Sequence, residues 1–174
     1  MRWSGVAGVD ATRDDDEAAV ISAKDILRGI THIGQVVEMP LFSQVTGNLW
    51  MGGCPVIQAP VEFDFIINLY PWGRYEIHAH QVQVTARLYD AAEIPDEKLL
   101  ARLTHLIRQF CVQGKVLVHC QMGLNRSPLV VALTLIESGM KPADAIGLLR
   151  ERRSMAVLCN STFERWLLSL EFLE

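Results

Sequence analysis

The sequence predicts an α/β sandwich, with one sheet flanked by helices. Three observations carry this. Short β-branched and aromatic runs come first, and helical periodicity gathers late in the chain. A short apolar run, Lys115–His119, passes through a loop into an almost wholly apolar helical stretch, Leu129–Ser138. The chain has 174 residues, half of them hydrophobic, which suits one domain with a substantial core.

The elements follow in order. Segment 4–17 is mostly Gly, Ala, Asp and Arg, has no apolar periodicity, and is expected to be mobile. Ser22–Ile30 reads as a short helix with Ile26, Leu27 and Ile30 on one side, and Thr31–Met39 has strand character. Residues 1–40 thus look like an N-terminal extension, and 41–174 like the folded domain. Asn48–Met51 reads as a strand ending at Gly52-Gly53. Phe63–Tyr70 is a dense apolar run typical of a buried strand. Gln81–Leu88 alternates, so it reads as a strand with one wetter face. Asp96–Val112 is helical, with Leu99, Leu100, Leu103, Leu106, Ile107 and Phe110 at helical spacing, and Gly114 stops it. Leu129–Ser138 should be a central buried helix ended by Gly139. Pro142–Arg152 carries proline in its first turn. Asn160 can cap a last helix, Ser161–Leu173, whose apolar face is Phe163, Trp166, Leu167 and Leu170.

The bulk properties exclude several classes. A formal net charge of −4 leaves no basic field for nonspecific nucleic-acid binding, so any anion site must be local. The N-terminus turns acidic at Asp14-Asp15-Asp16-Glu17, where a secretory signal would be apolar. No apolar run approaches the roughly 18 residues needed to span a bilayer. The four cysteines, Cys54, Cys111, Cys120 and Cys159, form no C-x-x-C pair, which argues against structural zinc. Free thiols in a reducing, cytoplasmic setting are expected.

The chemistry centres on His119-Cys120-Gln121-Met122-Gly123-Leu124-Asn125-Arg126-Ser127. A buried strand delivers Cys120 into a tight loop at a helix N-terminus. Backbone N–H groups of residues 121–126 can curl round one point, and with the helix dipole they suit a tetrahedral dianion. The same field favours a thiolate at Cys120. Arg126, six residues on, can face that point and grip two phosphate oxygens. Gly123 supplies the backbone freedom the curl needs.

His119-Cys120-x-x-Gly123-x-x-Arg126-Ser127 resembles the signature loop of protein tyrosine phosphatases, and the short chain resembles their dual-specificity branch. The resemblance runs from about Leu41 to the C-terminus. It includes Leu49–Gly53, the Phe63–Leu69 strand, Ile146, Arg150 and Arg153 in one helix, and Asn160 and Phe163 in the last. It implies a central, mostly parallel sheet flanked by helices, with no metal and no cofactor. It further implies that Cys120 attacks phosphorus to give a phosphocysteine, while Arg126 and the amides of Gln121, Met122, Gly123, Leu124 and Asn125 bind the phosphoryl oxygens. Ser127 would donate to the departing sulfur, and His119 would order the loop. An aspartate would protonate the leaving group. Asp90 occupies the family's place for this acid, 30 residues before the cysteine. Asp96 is the alternative, at a helix start where a carboxylate is an ordinary cap.

The implied substrate is a phosphorylated protein or peptide, carrying phosphotyrosine and also phosphoserine or phosphothreonine. Two rivals stand beside it. Gly123-Leu124-Asn125-Arg126 also resembles RNA 5′-triphosphatases, whose surfaces are more basic. A phosphoresidue-binding pseudophosphatase would usually lack Cys120. Trp72 and Arg74 are candidate substrate contacts, or parts of a plain packed turn. Arg150, Arg152 and Arg153 read as a solvated face, with a contact to a second phosphate, as some relatives make with a nearby arginine, the alternative; Cys54 is a candidate disulfide partner for Cys120.

Overall fold

The computed structural model describes residues 26–30 and 34–170. The expected mobile segment 4–17 lies outside the described residues, as do residues 22–25 of the expected first helix. The rest of that helix is a strand instead. β1 (Ile26–Ile30) pairs antiparallel with β2 (Val36–Pro40), Arg28 opposite Glu38. Three apolar residues in a five-residue stretch suit either period, and a paired partner decides for the strand. Leu27 turns inward onto the core, while Ile26 and Arg28 face out.

A five-stranded sheet follows, built from β3 (Phe42–Thr46), β4 (Leu49–Gly52), β5 (Phe65–Asn68), β6 (Val82–Thr85) and β7 (Val116–His119). Its spatial order is β3-β4-β7-β5-β6. All neighbours are parallel except β3 and β4, so the sheet is mostly parallel, as the resemblance implies. The sequence reading assigns no strand to 42–46, where a bulge between Gln44 and Thr46 breaks the alternation.

The helices are α1 (Glu97–Gln113), α2 (Arg126–Ile136), α3 (Pro142–Arg152) and α4 (Ser161–Ser169). Asp96 caps α1, its Oδ1 accepting from the amides of Lys98 and Leu99 at 2.7 and 3.2 Å. α2 has apolar residues on every side, so only a fully enclosed position keeps them from water. It packs against α1, α3 and α4, and Arg126 through Leu135 are all buried. Among the described residues no helix is long and apolar enough to cross a membrane.

Strand alternation sorts the core into two parts. Ile67, Val116 and Val118 join all four helices in the larger cluster. Ile66 and Leu117 point the other way, onto Phe42, Ala59 and Phe63. β7 lies between β4 and β5, enclosed on both faces, and its C-terminal end opens directly into the loop that leads to α2. A site at the carboxyl ends of parallel strands is the position this architecture favours.

Candidate active site

The loop from Cys120 to Asn125 is shaped from outside. The carbonyls of Gln121, Met122, Gly123 and Leu124 all accept from groups around it. Their donors are the Cys54 amide at 3.0 Å, Arg153 Nη2 at 2.9 Å, Arg153 Nε at 3.0 Å and the Leu158 amide at 2.6 Å. In a trans peptide the C=O of one residue and the N–H of the next point in opposite directions. The amides of Met122, Gly123, Leu124 and Asn125 are therefore turned to the inside of the loop. That of Gly123 reaches Cys120 Sγ at 3.2 Å. Gly123 has φ +71°, and a Cβ there would stand 2.6 Å from the Gly52 backbone, so no other residue fits.

Cys120 is buried, and Ser127 Oγ lies 3.4 Å from its sulfur. Burial pushes the thiol up. The Arg126 charge, the Ser127 hydroxyl and the amides of Ser127 and Gly123 outweigh it and hold the thiol below its ordinary value. Arg126 is the first residue of α2 and stands over the Tyr70 ring, 5.2 Å from its centroid. Its Nε–H is buried with no hydrogen-bond partner among the described residues. A buried, unpaired guanidinium donor beside a ring of amides is a site for an anion.

His119 supports the loop from below. Its Nδ1 lies 3.2 Å from the Cys120 carbonyl and its Nε2 2.6 Å from Tyr75 Oη. A carbonyl only accepts, so Nδ1 carries the proton and Nε2 accepts from the tyrosine hydroxyl. Gln83 Nε2 in turn donates to Tyr75 Oη at 3.2 Å. Burial lowers the His119 pKa to about 4, with the Arg126 charge acting in the same direction and the bond to Cys120 opposing. Since the unfolded value is near 6.5, acid protonates the unfolded chain first. Stability is full above that value, falls as pH drops toward 4, and loses about 3 kcal/mol from this group. Urea midpoints at pH 7 and 4.5 should differ more in the wild type than in His119→Asn. Equal losses would remove His119 as the source.

Asp90 is tied to the loop. Asn125 Nδ2 donates to its Oδ2 at 2.9 Å and Asn160 Nδ2 to its Oδ1 at 2.8 Å. Asn125 Oδ1 accepts from the Asn160 amide at 2.9 Å, and Asn160 Oδ1 caps α4 through the Thr162 amide at 3.1 Å. The structure thus places Arg126, Ser127 and the Gly123 amide about the Cys120 sulfur, ties His119 to the Cys120 carbonyl, and ties Asp90 to the loop through Asn125. Gln121, Met122 and Leu124 contribute backbone; the Met122 side chain packs against Gly29 of β1, and that of Leu124 is in the core.

Sequence reasoning missed the residues behind the loop. Arg153, read as part of a solvated face, is only 6% exposed. Tyr75 and Gln83 carried no signal beyond polarity. The Arg87 guanidinium stacks on Trp72, 5.5 Å from the ring centroid. All four cysteines are free thiols; burial, then the nearby Cys120, pushes Cys54 up to about 12.

A thiol of lowered pKa, an inward ring of amides and a helix-borne arginine make a candidate cysteine-centred anion site. The family model described as "Dual specificity phosphatase, catalytic domain" matches residues 49–172. The chain belongs to that family. It is 44% identical over 70 residues to protein tyrosine phosphatase type IVA 3 of Bos taurus, covering 39% of this chain and 40% of that protein. It is 33% identical over 81 residues to the probable protein tyrosine phosphatase type IVA B of Dictyostelium discoideum, covering 44% and 50%. The matches thus span half or less of these curated relatives. Human DUSP28 superposes with a TM-score of 0.61 at 17% identity, covering 74% of this chain and 94% of that one. Human tyrosine phosphatase-like serine/threonine/tyrosine-interacting protein gives 0.60 at 18%, covering 76% and 96%. At such identity these structures speak for the fold.

Proposed function

We propose that this chain hydrolyses phosphomonoesters on phosphoproteins through a phosphocysteine. The observation that carries the reading is the loop whose carbonyls all face outward, so that its amides and Arg126 converge on the Cys120 sulfur. The Cys120 thiolate attacks phosphorus, an S–P bond forms, and the P–O bond to the leaving group breaks. Asp90 gives that oxygen its proton. Water then attacks phosphorus and Asp90 takes its proton. Sulfur departs with a hydrogen bond from Ser127, and inorganic phosphate is released. The loop amides and Arg126 stabilise the equatorial oxygens throughout. His119 orders the loop and moves no proton. The catalytic unit in this reading is 41–174, with the β1–β2 hairpin packed on it. The Asn125 side chain is engaged by Asp90 and Asn160, an internal role that favours a phosphoprotein over an RNA triphosphate.

The test is phosphate release in EDTA from a phosphotyrosine peptide and from p-nitrophenyl phosphate. Asp90→Asn should lower kcat/KM about 10²-fold on the peptide. It should lower it far less on p-nitrophenyl phosphate, whose leaving group departs without a proton. No release by folded, reduced wild type would end the reading. Equal losses on both substrates would remove Asp90 as the acid.

A further inference from the structure

We infer that the β1–β2 hairpin is a positioning element of the Cys120 loop: it brackets Met122 from two sides and so holds the Gln121–Met122 stretch in its anion-binding curl. The inference rests on the reading of that loop as the phosphate site. The hairpin itself carries none of the reacting groups.

The hairpin has two faces. Strand alternation and the pairing of Arg28 with Glu38 put Ile26, Arg28, Val36 and Glu38 on one face, and all four are exposed. Leu27, Gly29, Val37 and Met39 lie on the other. Met39 belongs to the larger core cluster, and Leu27, Val37 and Met122 pack against it. A glycine inside a strand weakens it, and often marks a place where another group comes close. Here that group is Met122. A Cβ on Gly29 would overlap the Met122 Cε and stand 3.0 Å from its sulfur. The tip of Met122 thus occupies the place that a side chain of β1 would fill.

The hold on the backbone comes from the other end of the hairpin. Pro40, the last residue of β2, accepts from Arg153 Nη1 at 2.7 Å, and Nη2 of the same guanidinium donates to the Met122 carbonyl at 2.9 Å. One planar fork therefore ties β2 to the residue whose side-chain tip β1 receives. Residue 121 is held alongside. A Cβ on Gly53 would lie 2.7 Å from Leu27 Cδ2 and 3.2 Å from the Gln121 carbonyl oxygen, so Leu27 closes on the backbone beside Gln121. The carbonyls of Gln121 and Met122 share their peptide planes with the amides of Met122 and Gly123. Any rotation of those planes re-aims both amides, and the Gly123 amide is the one that reaches Cys120 Sγ. By fixing Met122, the hairpin fixes the aim of a donor to the nucleophile.

The test uses the full chain. Gly29→Val puts a branched side chain where Met122 sits, at a strand position that valine otherwise suits. It should lower kcat/KM about 10- to 100-fold. The loss should be equal on p-nitrophenyl phosphate and on a phosphotyrosine peptide, because the loop and not the acid is disturbed. The pH at which iodoacetamide alkylates Cys120 at half its maximal rate should rise by about one unit. Gly29→Val/Met122→Ala, which makes room for the new side chain, should recover most of both changes. Leu27→Ala, which opens space instead of filling it, should move both readouts the same way by a smaller amount. Arg28→Val, on the outer face, should move neither. Melting curves show which variants are folded, and Leu27→Ala carries the test if Gly29→Val is not. Wild-type behaviour of Gly29→Val and Leu27→Ala, or losses that multiply in the double variant, would overturn the inference. If the alkylation profiles follow the expected pattern but wild type releases no phosphate in EDTA, the hydrolysis reading fails and the hold on the loop stands. If wild type hydrolyses both substrates and Gly29→Val matches it, the inference fails and the hydrolysis reading stands.

Discussion

Cys120→Ser is expected to cut kcat by about 10⁴-fold or more while inorganic phosphate still binds within a few-fold of wild type. The two halves follow from different atoms. The arrangement round residue 120 favours a thiolate because Arg126, the Ser127 hydroxyl and two amides outweigh the burial that opposes it. A serine hydroxyl starts from a far higher pKa than a thiol, so the same field does not ionise it. In the proposed reading the anion, by contrast, would be held by loop amides and by Arg126, whose buried Nε–H has no hydrogen-bond partner among the described residues. The amides are set by carbonyl bonds outside the loop, which the substitution does not touch. Single-turnover phosphate release and phosphate binding by calorimetry measure the halves separately. Retained turnover in the variant would remove the cysteine from the chemistry.

Arg153→Met is expected to cost the fold about 3–5 kcal/mol, because it leaves several buried acceptors without their donor. Arg153 reaches five acceptors: the carbonyls of Gly123, Met122, Pro40 and Leu41, and Ser43 Oγ, at 2.7 to 3.4 Å. No carboxylate balances it among the described residues. Burial lowers its pKa to about 10, while the Cys120 charge acts the other way. Methionine fills much of the volume but strands the acceptors, each worth about 1–3 kcal/mol when left unsatisfied in the interior. The melting temperature should fall by about 10 °C in a chain of this size. Because two of the carbonyls belong to the phosphate loop, kcat/KM should fall as well. Arg153→Lys should recover little, since an ammonium is not a fork and cannot serve acceptors lying in several directions. Unchanged melting of Arg153→Met would refute the account.

The two residues also mark the limit of what a sequence reading reaches. Cys120, Gly123, Arg126 and Ser127 lie within eight consecutive positions, 120–127. Their order along the chain is nearly their order in space, because a buried strand and a buried helix pin both ends of the loop. The apolar patterns of 116–119 and 129–136 are local, so the strand–loop–helix unit was legible. So was the Asp96 cap, which engages amides two and three residues on.

Where partners are remote, the pattern ran out. Arg153 sits in a run of arginines that looks like a solvated face. Its acceptors lie 30 and 31 residues away in the loop and 110 to 113 away at β3 and its approach. Residues 26–30 read as part of a helix in sequence, and pairing with 36–40 made them a strand instead. The tethers on Asp90 come from 35 and 70 residues away.

By itself, then, the sequence determined the class of fold, the loop, the thiol and its arginine. These depend on hydrophobic periodicity and near-neighbour geometry, which the order of residues encodes directly. Only the tertiary structure decided which groups turn the loop's carbonyls outward, which side chain holds His119 in one tautomer, and which cation stands on Trp72. Those choices are made where chain segments distant in sequence are packed together, and the free energy that selects them comes from satisfying buried polar groups across that packing.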